Sequence, residues 1–339
     1  MVSLPDVQFS NTQIAKLPDL VAVFIGATNG IGEATLKEFA RSAKRPRTYF
    51  VGRSQEAAIR ITAECRQINP DGEYTFIQAD LSLIRNVDDV CREIQRREKR
   101  INLLFLSCGS IKSGSDTSEG LNIMLATQYY ARIRFAMNLL PQIQAASGLR
   151  RVISVLAGGH EGPIHEDDFQ ARKMNILSLR GHVVSMTDMA FENLAAQAPE
   201  VSFINDYPGT VKTGLHREAE GFLMTLMVWV LAIIGPFLYI PIKESGERHL
   251  FFATSAQYPA RLGEDGVGVP LVDGLEVANG LDGKAGSGVY SIHWSGTHSG
   301  EKVVRLVESL RGQGMVEKVW EHTVGEFKRI TDMRRHRED

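Results

Sequence analysis

The first stretch of this chain whose residue types dictate chemistry is Gly26-Ala27-Thr28-Asn29-Gly30-Ile31-Gly32. Its three glycines let the backbone turn tightly and come close to a pyrophosphate. The helix expected from about Gly30 aims free N–H groups and a positive dipole end at that charge. A lone GxxxGxG string says little. This one follows an apolar run at 20–25 (LVAVFI), which reads as a strand buried on both faces, and it precedes helical spacing over 33–41. The next strand ends in Gly52-Arg53-Ser54. An acid at that point would hold a ribose 2′-hydroxyl, whereas a guanidinium suits a 2′-phosphate. The acid is absent and Arg53 is present, so the expected cofactor is NADP(H) in preference to NAD(H).

A second concentration of reactive side chains lies in or beside 158–179: His160, His165, Asp167, Asp168, Lys173, Ser178, Arg180 and His182. His182 is the first choice for proton transfer. It is expected to start the helix at 183–198, and imidazole titrates near neutrality. The competing reading is a capping or packing histidine. His160 and His165 have no convincing third ligand, so no metal is expected. Cys65, Cys91 and Cys108 match neither a disulfide framework nor a zinc site, which points to a reducing, cytoplasmic setting.

These groups need a scaffold, and the pattern supplies one. Strands are expected at 20–25, 48–51, 74–78, 101–106, 151–156 and 201–205. Helices are expected at 33–41, 56–68, 87–97, 121–140 and 183–198. The alternation implies an α/β fold of Rossmann type, a doubly wound parallel sheet with helices on both faces. A Gly/Val/Asp-rich stretch at 262–288 reads as a long loop or hairpin, and helices at 303–310 and 315–330 close the chain. The expected organisation is a dinucleotide-binding core at 1–215, an apolar lid with its following helix at 216–260, and an extension at 261–339 packed on the core.

Composition limits the function. The chain has 339 residues, 43% hydrophobic and 23% charged, with a net charge of −2. Bulk charge gives no nucleic-acid footprint. Basic runs at 92–100 and 329–337 are interleaved with acids and read as solvated helix faces. The first sixteen residues lack the basic-then-apolar order of a secretory leader. Residues 222–242 (FLMTLMVWVLAIIGPFLYIPI) carry no charge. Three readings stay open for them: a greasy lid over a lipophilic substrate, a membrane-surface attachment of that lid, or a span. Gly235-Pro236 and Pro241 argue against an unbroken spanning helix.

With these residues in hand, the chain resembles the short-chain dehydrogenase/reductase family, of the kind found in fungal specialised metabolism. Gly26–Gly32 resembles the family's glycine motif, with Ile25 where a Thr is usual. Asp80-Leu81 resembles its adenine-contacting pair. Ser107-Cys108-Gly109 falls where the family has Asn-Asn-Ala-Gly, and Ser107 and Gly109 would line the cofactor. Tyr207-Pro208-Gly209-Thr210-Val211-Lys212-Thr213 resembles the PGxVxT motif, which implies that Pro208, Gly209, Val211 and Thr213 border the nicotinamide. The resemblance also implies a homodimer paired through the helices flanking strand five.

The family's chemistry uses Ser, Tyr and Lys with a supporting Asn. Here Ala157 stands at the Ser position, and Ser154 comes too early. There is no Tyr from 131 to 206. Met174, Asn175, Ile176 and Ser178 fill the expected Tyr slots, and Lys173 is the single Lys in that interval. Gln128 falls at the supporting position. The string Tyr239–Lys243 contains Pro241 and follows the Pro-Gly motif, so it reads as coincidence. The expected catalytic set is therefore His182, Lys173 and Gln128. The expected function is an NADP(H)-dependent oxidoreductase of a lipophilic, terpenoid- or polyketide-like small molecule. The alternatives are a redox-neutral isomerase, dehydratase or cyclase on the same scaffold, and a non-catalytic cofactor-binding protein.

Overall fold

The computed structural model describes residues 1–112, 115–212 and 239–338. After an N-terminal helix α1 (Leu4–Thr12), strand and helix alternate. The order is β1 (Val21–Ile25), α2 (Gly30–Ser42), β2 (Arg47–Gly52), α3 (Gln55–Ile68), β3 (Glu73–Gln78), α4 (Ile84–Arg97), β4 (Leu103–Leu106), a single turn α5 (Ile123–Leu125), α6 (Ala131–Gln144), β5 (Arg151–Val155), α7 (Ile176–Gln197) and β6 (Ser202–Tyr207). Then follow α8 (Ile242–Thr254), β7 (Val289–His293), α9 (Glu301–Gly312) and α10 (Met315–Glu338). The seven strands form one parallel sheet in the order β3-β2-β1-β4-β5-β6-β7. The order reverses between β1 and β4, so a crevice opens at their carboxyl ends, where ligands bind in such sheets.

Both faces of the sheet are covered, which is why its strands read as continuous apolar runs. Ala22, Phe24, Phe50, Phe105, Ile153 and Ile204 pack under α2, α3 and α8. Val23, Ile25, Val51, Leu104, Val152 and Phe203 pack under α4, α6 and α7. Helices α2 and α8 approach closely because Gly246 lacks a side chain, and a Cβ there would lie 2.9 Å from the Ala34 carbonyl carbon. Buried Arg151 fastens the C-terminal end of α8 to β5, donating to the Phe252 and Ser255 carbonyls.

Four features depart from the sequence expectations. Helix α1 reads as mixed and polar in sequence, but it packs on α8, and the Ser3 hydroxyl caps it by accepting from the Asp6 N–H. The helix expected over 121–140 is interrupted by one π-turn at Ala126–Tyr130. Helix α7 begins at Ile176, not at Val183, because the Asn175 side chain accepts from the Leu177 and Ser178 N–H groups. Edge strand β7 follows the glycine-rich stretch at 262–288, which itself holds no strand.

Helix α10 lies across α7, α6 and the π-turn. Tyr129 pairs with Thr323, Tyr130 with His322, and the Arg134 guanidinium sits 5.0 Å from the Phe327 ring centre. The C-terminal helix is thus anchored to the π-turn and to the start of α6. Of the apolar segment 222–242, residues 222–238 lie outside the described residues. Among those described, no helix is long and apolar enough to cross a membrane.

Candidate active site

The phosphate end is built from backbone. Gly26 has φ +86°, and a Cβ on it would sit 2.5 Å from the Cys108 nitrogen. Gly32 packs against Ser107, where a Cβ would lie 2.4 Å from Oγ. Gly30 (φ +61°) opens α2, with Asn29 at its N-cap and Ile31 in its first turn. Thr28 leans on Gly52 at the end of β2. Ser107 Oγ donates to the Ile25 carbonyl, tying the loop to β4. The result is a turn of bare glycines at a helix N-terminus, held so close to the end of β4 that a side chain at Gly26 or Gly32 would collide with Cys108 or Ser107. That is the fit a pyrophosphate requires.

Beside it lies a cavity of about 430 Å³ lined by Thr28, Asn29, Arg53, Ser54, Ala57 and Arg60. Its lining includes two guanidinium groups and no carboxylate. Ser54 also caps α3, its hydroxyl accepting from the Ala57 N–H. Arg60 is held by Glu33 at 2.7 and 2.8 Å, and this contact raises its already high pKa. Asp80 closes a turn onto Ser82 at the exposed end of β3, while Leu81 is buried in the core.

The far end of the crevice is assembled from side chains. Buried Arg132 bridges the ends of β4 and β5, donating to Cys108 O, Ser154 Oγ and Val155 O. Sequence reasoning missed it; its one signal is an arginine on the apolar side of a helix. Gln128 lies on the π-turn, and its amide donates to the Ser110 carbonyl beside Gly109. Single π-turns recur at functional sites because they re-aim one residue. Gly209 (φ +72°) follows Pro208 and leaves no room for a Cβ beside Ile240 and Trp294. Val211 bridges to Ile240. Thr213 lies outside the described residues.

The remaining expected residues divide. His182 is fully buried two turns into α7, since the helix starts seven residues earlier than expected. Its Nδ1 accepts from the His165 N–H and its Nε2 donates to the Phe169 carbonyl. Both nitrogens hold the preceding loop, and burial lowers its pKa. That geometry corrects the choice of His182 as proton donor, because neither nitrogen is left for a substrate. Lys173 is exposed at the surface, where its N–H bonds to Asp168. His160, by contrast, sits at the edge of the crevice. Its ring stands edge-on to Tyr207, 4.6 Å between centres, and its Nδ1 accepts from Arg180 at 3.2 Å. Tyr207 in turn neighbours His293 on β7. The sequence offered no sign of β7, and so none of His293's place beside them.

Comparison with known proteins agrees with this architecture. The sequence profile of the short chain dehydrogenase family matches residues 20–220. An oxidoreductase of Emericella nidulans is 40% identical over 95% of this chain and 97% of its own length. A short-chain dehydrogenase/reductase of Stachybotrys chartarum is 30% identical over 95% and 96%. Among solved structures, a short-chain dehydrogenase from Sphingobium yanoikuyae in complex with NADPH superposes with a TM-score of 0.51 at 18% identity, covering 68% of this chain and 82% of that one. The chain belongs to the short-chain dehydrogenase family of oxidoreductases.

Proposed function

We propose that this family member is an NADP(H)-dependent oxidoreductase of a lipophilic small molecule, terpenoid- or polyketide-like in polarity. The observation that carries the cofactor is the pairing of a side-chain-free glycine cradle with an adjoining cavity walled by Arg53 and Arg60 and by no acid. Gly26, Thr28, Asn29, Gly30, Ile31 and Gly32 would hold the pyrophosphate. Arg53, Arg60 and Ser54 would surround the 2′-phosphate. Asp80 and Leu81 would meet the adenine, and Ser107, Gly109, Pro208, Gly209 and Val211 would border the nicotinamide. When bound, the cofactor supplies or accepts a hydride. The chain's own residues bind it, orient it and handle charge at the substrate oxygen. The uncharged run at 222–242, next in sequence after the Pro-Gly turn, supports a substrate of low polarity.

Ala157, two residues beyond β5 and at the position the resemblance assigns to a Ser, favours a non-standard catalytic set. It also keeps a redox-neutral isomerase, dehydratase or cyclase as the second reading. The two part on one experiment. Purified protein is stripped of nucleotide and supplied with apolar ketones, enones and quinones. The oxidoreductase consumes NADPH in step with product. A redox-neutral enzyme turns over without it.

A further inference from the structure

The loop after β5 presents two neighbouring ionisable side chains in opposite directions. Glu161 turns inward: its Oε1 accepts from the Gly159 N–H and the Ser291 hydroxyl, and it meets buried Asp188 behind. Gly162 is pinned to α7, its N–H donating to Ser185 Oγ and its carbonyl accepting from the same hydroxyl. It rests on Gly181, where a Cβ would come within 2.9 Å. Gly158 is pressed against the Asn205 carbonyl. The backbone on either side of His160 is therefore fixed by α7, β6 and β7, and the imidazole faces outward over Tyr207, next to the Pro208-Gly209 turn.

The hydrogen bond with Arg180 decides the tautomer. A guanidinium only donates, so His160 Nδ1 is the acceptor and the ring proton sits on Nε2. Partial burial, the Arg180 cation and the nearby His293 ring hold the imidazole's pKa below its usual range. The groups facing it are Arg180 from α7, Tyr207 from β6 and His293 from β7. At neutral pH the ring is neutral, with one outward N–H.

We propose that His160, through Nε2–H, is the hydrogen-bond donor to the carbonyl oxygen of the substrate, and that Arg180 is the residue positioning it. The proposal rests on the NADP(H) reading above. In carbonyl reduction the reduced nicotinamide would supply the hydride for the new C–H bond, and the C=O π pair would move onto oxygen. A fixed donor stabilises that developing charge. Water at this exposed edge then gives the oxygen its proton. The imidazole shares its N–H without surrendering it, so no imidazolate forms, and the oxidised cofactor balances the two electrons.

The test combines histidine NMR, calorimetry and turnover on wild type, His160→Gln, His160→Ala and Arg180→Met. The signal missing from His160→Gln is expected to titrate below ordinary imidazole, to move up in pH in Arg180→Met, and to shift when NADP⁺ is added. With 9,10-phenanthrenequinone as the apolar dicarbonyl probe, His160→Ala should lose about 10²–10³-fold in kcat at unchanged NADPH affinity. His160→Gln, which keeps an N–H donor, should recover part of the loss. A His160 signal that stays fixed while calorimetry records NADP⁺ binding overturns the proposal and leaves the cofactor reading intact, as does an unchanged kcat in His160→Ala. Absence of heat with NADP⁺ removes that reading and the proposal with it.

Discussion

The two ends of the crevice are made differently. The phosphate end is backbone: Gly26, Gly30 and Gly32 act by having no side chain, and the nearest partners lie at the adjoining ends of β2 and β4. The far end is side chain: Gln128, His160, Arg180, Tyr207 and His293 come from five separate segments. A backbone site is written in consecutive residues. A side-chain site exists once helices have chosen their start points and strands their neighbours.

The largest effect should come at the phosphate end. Gly26→Val places a branched side chain against the Cys108 backbone in a left-handed conformation. NADPH affinity should fall by more than about 100-fold, that is, by more than about 2.7 kcal/mol, in protein whose circular dichroism stays native. Retained binding would break the contrast at its stronger side.

His182 sharpens the contrast from the other end. His182→Leu removes both backbone bonds of a buried ring and should cost about 2–3 kcal/mol of stability, read in a denaturant titration, with NADPH affinity unchanged. Loss of affinity without loss of stability would return His182 to the site. Arg53→Met should lower NADPH affinity about tenfold, a charge-assisted contact of about 1.4 kcal/mol, and leave NADH affinity alone. Equal losses for both would mean that the guanidinium does not read the 2′-phosphate.

The smallest effect concerns the acid pair behind His160. Burial, together with Glu161, raises the Asp188 pKa well above the carboxylate range. One proton shared between the two carboxyls satisfies Asp188 Oδ2 and Glu161 Oε2, which otherwise lack partners. For a raised carboxyl the sign is fixed. The folded state binds the proton more tightly, so stability declines as pH climbs from the ordinary carboxylate pKa toward the raised one, by up to about 1.4 kcal/mol per unit. Asp188→Asn keeps a donor and removes the titration. Its Tm should match wild type in acid and exceed it increasingly toward neutral pH. A constant offset would show that no proton is shared there.

The same contrast explains what the sequence disclosed. The parallel sheet was legible because strands such as VAVFI, buried on both faces, and amphipathic helices carry their periods locally. Asp80, Ser107 and Pro208-Gly209 were picked out by their resemblance to family motifs that follow those strands. The start of α7 was not, because a single cap, Asn175, moves it seven residues. That shift carries His182 from the rim into the core and swings Arg180 toward His160. Strand β7 was hidden because its short run, Val289–His293, alternates with Ser291 at the sheet edge and follows a long glycine-rich loop. Arg132 gave only a faint local signal, an arginine among apolar neighbours, since its partners Cys108, Ser154 and Val155 come from two other strand ends.

The central claim is that main-chain amides at the first strand–helix junction, flanked by arginines one strand over, grip a phosphorylated adenosine. Titration calorimetry of the wild-type protein with 2′,5′-ADP and with 5′-ADP tests it directly. The account predicts tighter binding of 2′,5′-ADP, by about tenfold or more, with the advantage shrinking as salt is added. Equal affinity for the two, or no heat from either, would contradict it.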